Sequence, residues 1–555
     1  MAHCAHYQIC GREAEANDGE SLCILHSKDP NKDKAAFDRA LAEHREGEGD
    51  KFRFFVFPGD VNFSELTFEG DTDFRGATFS GKADFRGATF RGDAGFGGAT
   101  FSGHADFIRA TFSGDADFRG AKFGEHVGFW EATFSGGANF EDAAFSDNAV
   151  FVRVSFGADA GFSEATFSGD TYFHETTFRG KADFIRATCS HSAGFSGATF
   201  LGHATFSAAA FGGDCHFYGA TFSSDARFDG GTFRCKADFE RTTFSGYASF
   251  FARMFSGRTI FAGAKFGRHA EFDSAYFTGK SEFDSATFND DAVFRSTRFA
   301  GKTTFQWTRF KARALFLDVK ANEEADKTQI SPGPEVDFTN VTIDEPDQIT
   351  FRNSDLRKWR FLGTDVRKAE FTGVTWPKHR GRLVVYDEIA SIPMDQVRDF
   401  AGIERLYREL KQNYEDRRDS DRAGDFHYGE KEMRRLNPDT PRGIRWLLLL
   451  YRIFSGYGEK YLRPLCWALG LLVVGTLIHY VYVLSPTSGG PDLVWMDFAE
   501  WGRAAILTVR PMFLLRPADG VPTGILAAGL NTALSLFGPL FLGLLALAIR
   551  QRLRR

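Results

Sequence analysis

The chain of 555 residues holds 63 Phe and 58 Gly against 16 Pro and 6 Met, and 67 Lys+Arg against 73 Asp+Glu leave a net charge of −6. That length exceeds one compact core, and one aromatic residue at more than a tenth of the chain needs a repeated structural reason. The charge excludes a general basic surface of the kind that binds nucleic acid, while seven scattered cysteines with no cleavable signal ahead of them point to a reducing compartment.

Residues 1–50 are polar and form the first predicted segment. Within them Cys4, Cys10, Cys23 and His26 make a C-x5-C-x12-C-x2-H pattern. Three thiolates and an imidazole suit a structural zinc ion, which takes a tetrahedral N/S set. The C-x2-H end has good spacing. The five-residue gap is wide and His3 and His6 are rival ligands, so unligated thiols are the competing reading.

Residues 51–316 keep a strict clock. From Phe63 in steps of 11 to Phe316, all 24 positions are Phe; from Phe68 to Phe310, 22 of 23 are Phe and Cys189 is the exception. A small residue stands two places before each Phe of the first series, and the second series behaves alike except at Leu66 and Arg253. Neither a helix at period 3.6 nor a strand at period 2 holds such a phase for so long, whereas a coil closing on itself does. A β-solenoid is therefore expected, with Phe and the small residue pointing inward and Ser-Gly or Arg-Gly at the corners. Four faces per coil would need two repeats and give about 12 coils stacked at roughly 4.8 Å.

The motifs ADFRG (83–87), ATFSG (110–114) and ADFIR (182–186) resemble the pentapeptide-repeat family. The resemblance implies a right-handed quadrilateral β-helix, so the fold class is read as mainly β, with an α-helical linker and two transmembrane helices. The alternating sixth residue and the near-exclusive use of Phe depart from the family's commonest form and imply a wider coil. Similar Cys/His heads on related proteins imply zinc by the same resemblance.

Residues 317–382 begin with a polar loop, and a five-residue spacing then restarts through Phe351, Leu356, Phe361, Val366, Phe371 and Trp376. Residues 383–441 read as a helical linker of two packed helices, one burying Ile403, Leu406, Tyr407, Leu410 and Tyr414 and the other Ala423, Phe426 and Met433. The linker resembles a module that joins such repeats to membrane segments.

Residues 442–555 hold two uncharged apolar runs, 464–484 and 523–549, each long enough to span a bilayer. Nine basic residues flank the pair on its outer sides, against Arg503, Arg510 and Arg516 between the runs, so both termini are expected on the cytoplasmic side of the inner (plasma) membrane. His479, Tyr480 and Tyr482 fit an interfacial belt, with His479 as a metal or proton site the sharper alternative. The span–loop–span order resembles a two-helix ion-channel module. Thr508 and Val509 match the opening of a potassium filter, but Arg510 and Pro511 do not; a tethering hairpin is the rival reading. SerGlyTyrGlyGlu at 455–459 precedes the first span and reads as a turn. Ala527, Asn531, Ser535, Pro539 and Gly543 form a small or polar stripe suited to helix packing or a pore lining.

No catalytic constellation stands out, and an enzyme is not expected. DNA mimicry is disfavoured because the solenoid turns from acidic to basic after residue 240. The expected function is a membrane-anchored scaffold presenting a cytoplasmic solenoid to a protein partner, with no nucleic-acid partner. The alternative is a subunit of a homo-oligomeric two-span ion-channel-like protein.

Overall fold

The computed structural model describes residues 3–14, 21–29, 31–320, 335–391, 397–484, 498–515 and 525–554. Of the polar loop expected at 317–337, residues 321–334 lie outside the described residues, as do Arg516 and Arg555, while Leu317 and Val336–Asp337 belong to strands. The chain divides into two compact units, Met1–Thr375 and Trp376–Arg555.

In the first unit, nearly every solenoid face is a two-residue strand. These strands stack into four parallel sheets of 12, 14, 13 and 14 strands, each strand as far as residue 317 pairing with the fourth one before it, where there is one. Phe57 pairs with Phe79 and Ala83 with Ala105, so one coil is 22 residues and has four faces. The inner residue of each face sits over its counterpart 22 residues away. Phe79 and Phe101 stack with ring centroids 4.6 Å apart and 2° from parallel, and Phe96 and Phe118 at 4.7 Å and 1°. Columns meet edge to face across the core, as Phe85 and Phe96 do at 89°. Main-chain N–H groups donate to the neighbouring coil, Phe85 to Asp106 O at 2.7 Å and Thr89 to Leu66 O at 2.8 Å, which satisfies the backbone as the rings are buried.

The residue two places after each Phe of the first series, at the corner of the five-residue unit, has a distinct conformation. At all 24 positions from Glu65 to Asp318 in steps of 11, φ lies between +52° and +67°; eight are Gly and sixteen are other residues, among them Arg109, Glu131, Ser274 and Trp307. The expected Ser-Gly corner needs glycine for a different reason. At Gly301 a Cβ would lie 2.0 Å from Gly279 O, so absence of a side chain is what permits the coils to approach.

The ladder continues beyond residue 335: Phe351 stacks on Phe316 at 5.1 Å and Phe371 on Phe351 at 5.3 Å. The register steps from Phe351 to Phe371, so the last coil holds 20 residues, four units of five. At the other end, helices α1 (Tyr7–Cys10) and α2 (Lys34–Glu48) belong to a head that covers the first coil. Val56 N donates to Leu25 O at 2.8 Å, and Phe37 packs on Phe57 at 5.5 Å.

The second unit opens with a hairpin, Lys378–His379 paired with Arg382–Leu383, and then α3 (Tyr386–Ile389), α4 (Phe400–Asp416) and α5 (Ser420–Leu436). Asp399 and Asp419 cap α4 and α5 by accepting from Gly402 N and Arg422 N. The buried face of α4 carries Ile403, Leu406, Tyr407, Leu410 and Tyr414, and Ala423, Phe426 and Met433 are buried on α5. Gly429 admits the Tyr407 ring, since a Cβ there would meet it at 2.5 Å. Next come α6 (Arg442–Ser455), α7 (Leu462–Ile478) with a π-helical extension to Leu484, α8 (Phe498–Met512) and α9 (Ile525–Arg554). The 455–459 segment is a turn in which Gly456, Tyr457 and Gly458 all have positive φ, and Tyr457 is buried and donates to Glu432 at 2.8 Å.

Candidate functional site

The head brings Cys4, Cys10, Cys23 and His26 together. All four are buried, and one ligand atom from each lies within 4.8 Å of the others. Cys10 Sγ is 3.7 Å from Cys23 Sγ, and His26 Nδ1 is 3.6 Å from Cys4 Sγ and 3.2 Å from Cys23 Sγ. A tetrahedral zinc ion with ordinary bond lengths sets its sulfurs about 3.8 Å apart and sulfur from nitrogen about 3.6 Å, so the donor set fits the ion. His26 Nε2 lies 3.2 Å from Arg53 O, an outer contact that directs Nδ1 toward the thiols. Without a cation the thiols obstruct one another: contact with Cys10 and then burial push Cys23 up to about 11, while the same contact lowers Cys10. Of the rival ligands, His6 stays beside the cluster, its ring 4.6 Å from that of His26. His3 pairs with Glu13 at 3.1 Å, and His6 stacks on Phe54.

Local structure explains the assembly. Helix α1 ends on Gly11 with φ 61°, and Cys23 and His26 share a turn closed by His26 N donating to Cys23 O at 2.9 Å. The His26 ring meets Phe55 edge-on at 5.0 Å, so the cluster rests on the solenoid's first coil. Four protein ligands would close the coordination shell of an ion held there, the arrangement of structural sites.

The solenoid itself pairs residue i with i+22 and builds each face from a five- or six-residue unit around one inward Phe. Residues 55–232 match the family model for pentapeptide repeats (nine copies) in overlapping stretches at 55–100, 96–144, 129–177, 151–199, 173–221 and 184–232. The solenoid is a pentapeptide-repeat domain. No curated protein and no solved structure matches the chain. Outside the pentapeptide-repeat core, Trp130, Tyr218 and Trp307 are exposed on one corner about four coils apart.

Two expectations for the apolar helices gain detail. His479, read as interfacial, is fully buried; its Nδ1 lies 3.0 Å from both Gly475 O and Thr508 Oγ1, with Thr476 Oγ1 3.5 Å from Thr508 Oγ1. Hydropathy treats a segment by its ends and misses this knot, because α8 supplies half of it. On α9 the buried residues are Ala527, Leu534, Gly538, Phe541 and Ala548, so Ala527 of the expected stripe lies on the packed face, Asn531, Ser535 and Pro539 are half-buried, and Gly543 is exposed. Gly538 sets that face: a Cβ there would lie 2.6 Å from Met512 Cα of α8.

Proposed function

We propose that the chain is a membrane-anchored scaffold whose pentapeptide-repeat solenoid stands in the cytoplasm and binds a protein partner, acting by binding instead of catalysis. The observation that carries this reading is outward-facing apolar surface. The segments Leu462–Val481 and Ala527–Arg550 are long and apolar enough to cross a bilayer, yet only 33% and 22% of their apolar windows is buried. Leu469, Val473, Leu536 and Leu547 are exposed. A water-soluble helix core would cover such side chains, whereas lipid accepts them. Helix α6 adds exposed Trp446 and Leu447 beside Arg445, the pattern of a helix lying at the membrane surface. The exposed corner aromatics supply the surface chemistry that protein interfaces favour, and zinc held by Cys4, Cys10, Cys23 and His26 would lock the head over the first coil.

The test combines extraction with topology. The protein should stay in membranes washed at alkaline pH, and a membrane-impermeant maleimide should label the exposed Cys235 of the solenoid only after cell lysis. Release by the wash would refute the anchor, and labelling in intact cells would refute the orientation. The alternative, a homo-oligomeric channel-like subunit, draws support from α8 lying against both α7 and α9, as in the Gly475–Thr508 and Gly538–Met512 approaches. A defined homo-oligomer in mild detergent would favour it.

A further inference from the structure

We propose that a cationic cavity in the helical unit binds a phosphate-bearing anion. The cavity measures about 500 Å³ and lies among the Lys378–Leu383 hairpin, the start of α4, helix α5 and the α6–α7 turn. Six Lys or Arg side chains line it against two carboxylates, Glu388 and Glu432. Both carboxylates are already engaged. Arg382 holds Glu388 in a two-pronged contact at 2.5 and 2.7 Å, with Tyr407 OH as a third partner. Glu432 takes Arg435 at 2.8 Å, Arg452 at 3.2 Å and Tyr457 OH at 2.8 Å.

Four cations are left over: Arg380, Arg398, Lys460 and Arg463 form no ion pair with a carboxylate among the described residues, Asp425 acting on Lys460 only at longer range. Two of them are held in place by carbonyls, Arg398 by Ala390 O at 2.9 Å and Arg463 by Arg452 O at 2.6 Å, which orders the guanidinium groups without neutralising them. Lys460 sits over the Tyr428 ring at 5.9 Å. Arg380 occupies the tip of a two-residue hairpin turn with φ 49°, a left-handed conformation that is costly for arginine and here places its charge at the cavity rim. Uncompensated positive charges gathered in one recess repel each other unless an anion enters, and planar guanidinium groups match phosphate oxygens in pairs. Ile389, Phe400 and Leu436 add an apolar side to the recess. That combination suits a phosphate group carried on a larger body better than a bare ion. Lys460 and Arg463 flank the first residue of α7, so the phosphate has two natural sources, a lipid headgroup or a soluble phosphorylated compound.

The experiment uses the full-length protein in neutral detergent at physiological salt. One arm titrates inorganic pyrophosphate by calorimetry; the other adds dioctanoyl phosphatidic acid, with dioctanoyl phosphatidylcholine as the blank, and follows the thermal midpoint. Arg380→Ala, Arg398→Gln and Lys460→Gln should each weaken binding several-fold and the Arg398→Gln/Lys460→Gln pair more than tenfold. Arg405→Gln, an exposed charge on α4 outside the cavity, should leave it unchanged. Arg380→Ala alters only an exposed turn, so its effect does not depend on refolding of the core. Variant-sensitive binding of pyrophosphate assigns a soluble ligand, and variant-sensitive binding of phosphatidic acid alone assigns a headgroup. Failure of both probes to bind, or binding that these substitutions leave intact, overturns the proposal.

Discussion

Position 253 holds an arginine where Ala165, Ala187 and Ala209 stand in the preceding coils. Its guanidinium lies 4.3 Å from the Phe233 ring centroid and donates to Gly230 O at 2.5 Å, but Nε and Nη2 are buried without a partner. Burial pushes it down to about 9, still charged at neutral pH. Gly231 in the coil before makes the room, because a Cβ there would meet Arg253 Nη1 at 2.5 Å. Replacing a half-satisfied buried charge with an apolar chain of similar volume is commonly neutral or stabilising by about 1–4 kcal/mol. Arg253→Met is therefore expected to raise or hold the thermal midpoint. Phe206→Asp should lower it by about 4 kcal/mol or more in stability, because a carboxylate would enter a column between Phe184 and Phe228. Equal small shifts from the two substitutions would contradict the inward assignment.

Among the elements, α5 ties the helical unit to pH through Glu430. Burial would raise its carboxyl, but the His427 imidazole 3.6 Å away and the Lys431 and Lys411 ammonium groups outweigh it and hold it at about 2, against 4.5 for a free glutamate. A folded-state value below the unfolded one gives stability that is full above about pH 5 and is lost as pH falls toward 2. Acid unfolding of α4 and α5, followed by circular dichroism, should flatten over that window in Glu430→Gln. The head makes a different prediction. Removing zinc with a chelator should expose the first coil and lower the onset of solenoid melting, while metal analysis of protein purified under reducing conditions should find about one zinc per chain. The solenoid was legible because every coil repeats the same contacts, and the α4 and α5 faces because each helix buries a single periodic stripe. The left-handed corner was not. Sixteen of its 24 positions lack glycine, so stacking geometry imposes the conformation and no residue type announces it. The four cations of the recess come from three segments, Arg380, Arg398 and the Lys460–Arg463 pair, and nothing local in the sequence connects those segments.

For the whole molecule, the proposed span–loop–span order raises the question of conduction. Arg510 lies in the last turn of α8, followed by Pro511, where a potassium filter would offer carbonyl oxygens. Reconstituted in planar bilayers, the protein should show no potassium-selective reversal potential; a selective current would favour the channel reading over the scaffold. The coil repeat has a mechanical consequence too. Each coil touches only its neighbours, so tension applied at one end of the solenoid has no shared core to break and should peel it one turn at a time. In an optical trap the length released per event should then be stepwise, at about 75 Å of extended chain for a 22-residue turn, about 68 Å for the final 20-residue one, and more for the turn that carries residues 321–334. The domain would behave as a ratcheted ribbon, yielding turn by turn under load instead of failing all at once.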